Sequence, residues 1–228
     1  MTGGAGAGRF PPVALFDLDG TLLDSAPDMV ATANRMLAAR GLGPVDADAL
    51  RKHVSKGARA MVSFVFPEAE GEAHAALVAE FLEVYQQELG RHSRLFDGIA
   101  GMLEALEAAG ARWGIITNKA EYLARDVVAG LGWQERCAVL VGGDTYAERK
   151  PHPLPLLEAA RTLGVDPSDC VYVGDDERDV LAAKAAGMPS IAVLWGYRLD
   201  GDDPLTWQAD RVAERPHELV TPAAWPTR

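Results

Sequence analysis

The sequence predicts an α/β fold, a doubly wound parallel sheet with an inserted all-helical cap. Five short, continuously apolar runs, VALF (13–16), WGII (113–116), CAVLV (137–141), CVYV (170–173) and SIAVL (190–194), read as strands buried on both faces. The last four are separated by segments with helical spacing, the alternation that produces parallel strands joined by crossover helices. Between the first run and the others lie about 70 residues, 25–94, with helical patterning and no strand pattern. A stretch of that length is too long for an ordinary loop.

The elements follow in order. Residues 1–11 begin with a Gly- and Ala-rich stretch and are expected to form a flexible tail. Residues 12–24 and 95–228 are assigned to the α/β core and 25–94 to the cap. VALF runs into the polar loop Asp17-Leu18-Asp19-Gly20-Thr21. Ser25-Ala26-Pro27-Asp28 is a helix-start signature, followed by Met29, Ala33, Met36 and Leu37 at helical spacing. A second amphipathic stretch covers residues 46–66 with a break at Ser55-Lys56-Gly57, and a third carries Leu77, Phe81, Val84 and Tyr85. Back in the core, Leu123, Val127 and Leu131, and then Leu156 and Ala160, mark two helices that Gly132 and Gly164 are placed to end. Trp113, Trp133 and Trp195 are expected in the packing, with Trp207 and Trp225 pinning the C-terminal segment.

Composition narrows the function. With 33 acidic and 22 basic residues the formal charge is −11, which opposes nucleic-acid binding because that affinity rests on clustered Lys and Arg. A hydrophobic fraction of 48% supports a sizeable core. No apolar stretch approaches the roughly 20 residues that span a bilayer, and the first residues lack a signal-peptide pattern, so a cytoplasmic protein without membrane contact is expected. Cys137 and Cys170 have no metal-ligand spacing and are read as reduced thiols. Monomer and homodimer fit the sequence equally.

In a doubly wound sheet the ligand sits beyond the carboxyl ends of the strands, and the polar clusters stand there. Asp17 and Asp19 follow the first strand, Thr117 and Asn118 the second, Asp175 and Asp176 the fourth. Carboxylates crowded together repel one another unless protonated or neutralised. A hard divalent cation with oxygen ligands, Mg²⁺, resolves the conflict. Thr117 and Asn118 offer a hydroxyl, an amide and loop N–H groups to phosphate oxygens. Lys150 is a point charge suited to a phosphoryl group developing negative charge. Asp179 reads either as a helix-capping residue or as part of the acidic cluster. In the cap, Lys56, Gly57 and Arg59 are candidates for reading a second anionic group of the substrate.

Asp17-Leu-Asp-Gly-Thr-Leu, Thr117-Asn118, Lys150-Pro151 and Gly174-Asp175-Asp176-Glu-Arg-Asp179, in that order and each after a strand, resemble the four motifs of the haloacid dehalogenase superfamily. The helical insert resembles that superfamily's cap of the first type. The resemblance implies a Rossmann-like core and Mg²⁺-dependent phosphomonoester hydrolysis. Asp17 would be the nucleophile that forms an aspartyl-phosphate and Asp19 the general acid and base, with Lys150 and Thr117 assisting. Asp17, the main-chain carbonyl of Asp19, and Asp175 would hold the metal, with Asp176 and Asp179 around them. Asp19 points to a phosphate ester, because expelling halide needs no proton. The opening through Asp28 and the pair Gly196-Tyr197 are most similar to the phosphoglycolate phosphatase group. Ser55 to Met61 and Ser93 to Gly98 also resemble phosphatases of N-acetylmuramic acid 6-phosphate, and a sugar phosphomutase shares the core motifs. A phospho-accepting signalling module combines the same residue types, but it orders its acidic pair and phosphorylated Asp differently and carries no such insert.

Overall fold

The computed structural model describes residues 9–226. Residues 1–8 of the expected tail lie outside the described residues. The tail's end is packed, with Phe10 edge-on to Trp225 at 6.2 Å between ring centroids.

The core strands are β1 (Val13–Phe16), β4 (Arg112–Ile116), β5 (Cys137–Val141), β6 (Cys170–Gly174), β7 (Ser190–Val193) and β8 (Arg211–Ala213). They form one parallel sheet in the order β5-β4-β1-β6-β7-β8. All five apolar runs are therefore strands, but β5 is not buried on both faces as expected: it stands at the sheet edge with Ala138 exposed and only Val141 buried. β8 is an addition that the sequence did not signal: three residues at the sheet edge, one of them Arg211, carry no apolar run.

Helices α5 (Ile99–Ala108), α6 (Glu121–Gly130), α7 (Leu154–Leu163) and α8 (Glu177–Ala186) cover the sheet. Two clusters of buried side chains fill the space. One includes Phe16, Leu103, Trp113, Ile115, Val173 and Trp225, and the other Leu15, Ile116, Leu156, Tyr172 and Met188. β1 lies in the middle with all four residues buried, so its backbone is held by ladders on both sides and Asp17, the next residue, has a fixed origin. The Asp17 N–H continues the ladder to the Val173 carbonyl at 2.9 Å.

Residues 26–88 form α1 (Ala26–Ala38), α2 (Ala47–Arg51), α3 (Ala58–Val65) and α4 (Gly71–Glu88). They bury a third cluster that includes Met29, Met36, Leu50, Val62 and Phe81, with Leu123 and Tyr197 contributed from the sheet portion. The break in the second amphipathic stretch is a 3₁₀ turn at Val54–Lys56 followed by Gly57 at φ 86°.

Both chain crossings into this insert are strands, β2 (Leu23–Asp24) and β3 (Arg94–Leu95), paired antiparallel. Two-residue strands leave no periodicity to read. The start of α1 also differs from its signature. Ser25 stands at the N-cap but its hydroxyl makes no capping bond. The nearby Ala26 N–H donates instead to the Tyr197 hydroxyl at 3.0 Å, and Asp28 is turned away from the helix end.

Candidate active site

The carboxyl ends of β1, β4 and β6 bring Asp17, Thr117 and Asp175 to one edge of the sheet. Gly20 and Gly174 permit the close approach. A Cβ on Gly20, which has φ +85°, would stand 2.2 Å from an Asp175 oxygen. One on Gly174 would stand 2.2 Å from an Asp179 oxygen. Side chains at either position would push the carboxylates apart.

Asp17, Asp175 and Asp179 each place one carboxylate oxygen within 4.8 Å of the others. Burial, then the charges of Asp17 and Asp179, push the Asp175 carboxyl well above its ordinary value. Burial pushes Asp179 up to about 6 against the pull of Lys150. Lys150 is the partial counterweight. Its ammonium lies 2.7 Å from Asp179 and 3.1 Å from Asp17, and it donates to the Tyr172 hydroxyl at 2.7 Å. Burial works against that ammonium, but the two carboxylates outweigh it and hold its proton more firmly than in water. One cation among three buried carboxylates leaves net negative charge, and the donors are all oxygen. That set fits a hard divalent ion such as Mg²⁺.

Asp179 serves both readings at once. One oxygen faces Lys150, while the other accepts the Asp176 N–H at 3.1 Å in the capping box that opens α8.

Asp19 stands apart from the three. Its carboxylate takes two bonds from Lys119 Nζ, at 3.1 and 3.0 Å. Thr117 is buried, and its hydroxyl accepts the Lys119 N–H at 3.2 Å. Asn118 donates its side-chain amide to the Lys150 carbonyl at 2.9 Å, which fixes the amide orientation and leaves Oδ1 buried with no partner. In this arrangement one amide hydrogen is committed to Lys150, while the second amide hydrogen, the Thr117 hydroxyl and the loop backbone are the groups left that can donate to a phosphate.

The insert reaches the same edge. Ser55 donates to Asp175 at 2.7 Å. Lys56 bonds Asp176 at 2.8 Å and Asp202 at 3.0 Å. Arg178 donates to the Ser55 carbonyl and to Asp176, the latter at 2.7 Å. Asp176 thus faces the insert, and although burial opposes its charge, Arg178 and Lys56 bring its carboxyl down to about 2. Gly57 opens α3, and the exposed Arg59 guanidinium has no hydrogen bond or ion pair among the described residues.

Between sheet edge and insert lies a cavity of about 340 Å³. Asp17, Asp19, Thr117, Asn118 and Lys119 form its floor, Lys56, Gly57 and Arg59 part of its rim, and Arg149 and Arg178 also line it. Sequence reasoning missed Lys119, whose signal was adjacency to Thr117-Asn118. It also missed Arg149 and Arg178, and read Tyr85 only as part of an apolar face.

The sequence model of haloacid dehalogenase-like hydrolases matches residues 14–193. The chain belongs to that family. It is 62% identical over 218 residues to a phosphoglycolate phosphatase of Xanthomonas campestris pv. campestris, covering 96% of this chain and 99% of that one. It is 45% identical over 208 residues to an N-acetylmuramic acid 6-phosphate phosphatase of Pseudomonas putida, covering 90% and 92%. The fold is similar to the crystal structure of a predicted phosphoglycolate phosphatase from Haemophilus somnus, with a TM-score of 0.82, 24% identity, and 92% and 96% of the two chains covered. The chain is accordingly a phosphoric monoester hydrolase. Among the described residues no helix is long and apolar enough to cross a membrane.

Proposed function

We propose that the protein hydrolyses 2-phosphoglycolate to glycolate and phosphate through an aspartyl-phosphate, with residues 25–94 acting as a cap over the site. The observation that carries the substrate is the 62% identity, over 96% of the chain, to a phosphoglycolate phosphatase. Asp17 attacks phosphorus, the P–O bond to glycolate breaks, and Asp19 supplies the proton that the departing alkoxide takes. Asp19 then accepts a proton from water, whose oxygen attacks phosphorus and frees Asp17 and inorganic phosphate. Lys150 holds Asp17 from one side, and the loop N–H groups after Thr117 face the phosphoryl oxygens. Asp17, Asp175 and Asp179 are the side chains that would hold Mg²⁺, together with the Asp19 main-chain carbonyl. When bound, the ion would neutralise charge on the phosphoryl oxygens. Cap closure excludes bulk water during the attack.

A second reading, N-acetylmuramic acid 6-phosphate, is favoured by the cavity. Its volume of about 340 Å³ and its apolar wall of Met29, Val54, Met61, Phe81, Leu82 and Leu123 would be left largely uncovered by a two-carbon ester. The deciding experiment compares kcat/KM for the two esters in Mg²⁺, with Asp17→Asn as the inactive control. Preference for 2-phosphoglycolate supports the first reading. Preference for the amino-sugar phosphate transfers the assignment to the second.

A further inference from the structure

Asp19 has one side-chain anchor among the described residues. Both oxygens go to Lys119 Nζ. The Lys119 ammonium also donates to the Tyr85 hydroxyl at 2.7 Å, so its three oxygen partners are the two of Asp19 and the Tyr85 phenol. Lys119 reaches this point on a four-carbon stem from the loop before α6, whereas Tyr85 sits rigidly on α4. The residue is 2% exposed and its ring is stacked on Phe81 at 6.3 Å between centroids. The ammonium also lies 4.5 Å from the Tyr85 ring centroid. Burial pushes the phenol up to about 12, so it remains neutral and accepts from the ammonium at working pH.

Packing alone would be served equally by phenylalanine. The hydroxyl adds one thing, a fixed acceptor for a buried ammonium. Without it Lys119 carries an unpaired N–H where desolvation is nearly complete, and the stem turns to satisfy it. The Asp19 carboxylate then loses its orientation.

We infer that Tyr85, from the insert, is a positioning residue for the acid/base carboxylate: through Lys119 it fixes Asp19 toward the leaving oxygen, so that α4 must be seated before proton transfer is efficient. The inference rests on the proposed role of Asp19 and adds that the insert supplies part of the acid/base machinery as well as substrate selection.

The test exploits the leaving group. An alkyl alcohol needs a proton to depart, whereas p-nitrophenolate does not, and kcat/KM reports on the first transfer to Asp17 irrespective of later hydrolysis. In Tyr85→Phe, with Mg²⁺ present, kcat/KM for 2-phosphoglycolate and for N-acetylmuramic acid 6-phosphate should fall about tenfold, and that for p-nitrophenyl phosphate less than twofold. Lys119→Gln should show the same selectivity, and the double variant should lose no more of the alkyl-to-aryl ratio than the worse single variant. Equal loss on alkyl and aryl esters, or no loss on either, overturns the inference, the first because it is what a packing defect produces. Asp19→Asn separates the two levels. If it has no leaving-group dependence, the role of Asp19 fails; if it has and Tyr85→Phe has not, the positioning claim alone fails.

Discussion

Asp28 Oδ1 accepts the backbone N–H of His92 at 2.6 Å, which ties the first helix of the insert to the segment by which the chain leaves it. The same carboxylate accepts from Gly90 N at 2.7 Å, Ser93 N at 3.2 Å and the Ser93 hydroxyl. It is fully buried. Asp28→Ala strands these donors, and the expected loss of stability is about 2–4 kcal/mol. Urea unfolding of the two proteins measures it; a midpoint within error of wild type would show that the latch carries no stability.

Asp17→Asn should leave the melting temperature equal or higher in metal-free buffer, since it removes one of three crowded carboxylates, while turnover falls about a thousandfold or more. Steady-state kinetics and a thermal melt on the same sample check both halves. Full activity in the variant would remove Asp17 from the nucleophile's position.

Chelation should abolish turnover, and added Mg²⁺ should raise the melting temperature of the chelated protein by binding the folded state. Replacing Asp175 by Asn should shrink that shift, because its buried carboxyl, pushed well up by burial and by its acidic neighbours, is one of those that would hold the ion. An undiminished shift would place the ion elsewhere.

Asp176 gives a pH dependence of definite sign. Its folded carboxyl titrates near 2, below the ordinary value of about 3.9. The stabilisation it provides is therefore present above pH about 4 and lost as pH falls through about 2. Wild type should exceed Asp176→Asn in stability at pH 6, and the gap should close between pH 4 and 2. A constant gap in urea unfolding across that range contradicts the assignment.

Arg59 and Lys56 should separate in kinetics. Lys56 is already bonded to Asp176 and Asp202, whereas the Arg59 guanidinium is without a side-chain partner among the described residues. Arg59→Ala should raise KM for a carboxylate-bearing ester about tenfold with little change in kcat. Saturation curves with 2-phosphoglycolate test this, and an unchanged KM would leave substrate anion recognition to another group.

The legible parts of the fold and site share a physical cause. β1, β6 and β7, and β4 beyond Arg112, are buried and so write themselves as apolar runs, and β5 at the sheet edge keeps the apolar run while being only partly buried. Asp17, Thr117 and Asp175 stand out as candidates because each comes at the end of such a run, Asp175 after Gly174. β8 and the β2–β3 ribbon are too short to leave a pattern. Lys119 reads in sequence like any solvated loop lysine; only the approach of α4, from 34 positions away in the chain, gives it a buried partner. Asp28 was read as part of a helix start, since nothing local reveals that the return segment presents four donors to it.

The central place of β1 sets an order of assembly. Val13 pairs with Arg112 on one side and Cys170 on the other, so the strand that delivers Asp17 takes its first neighbour from the middle of the chain and its second from well beyond it. The contacts of α1 with α4 close a much shorter loop and cost less chain entropy to form. Refolding followed by pulsed hydrogen exchange should therefore show amides of α1 and α4 protected before those of β1. Asp17 would be among the last parts of the site to reach its place, after the helices that face it across the cavity.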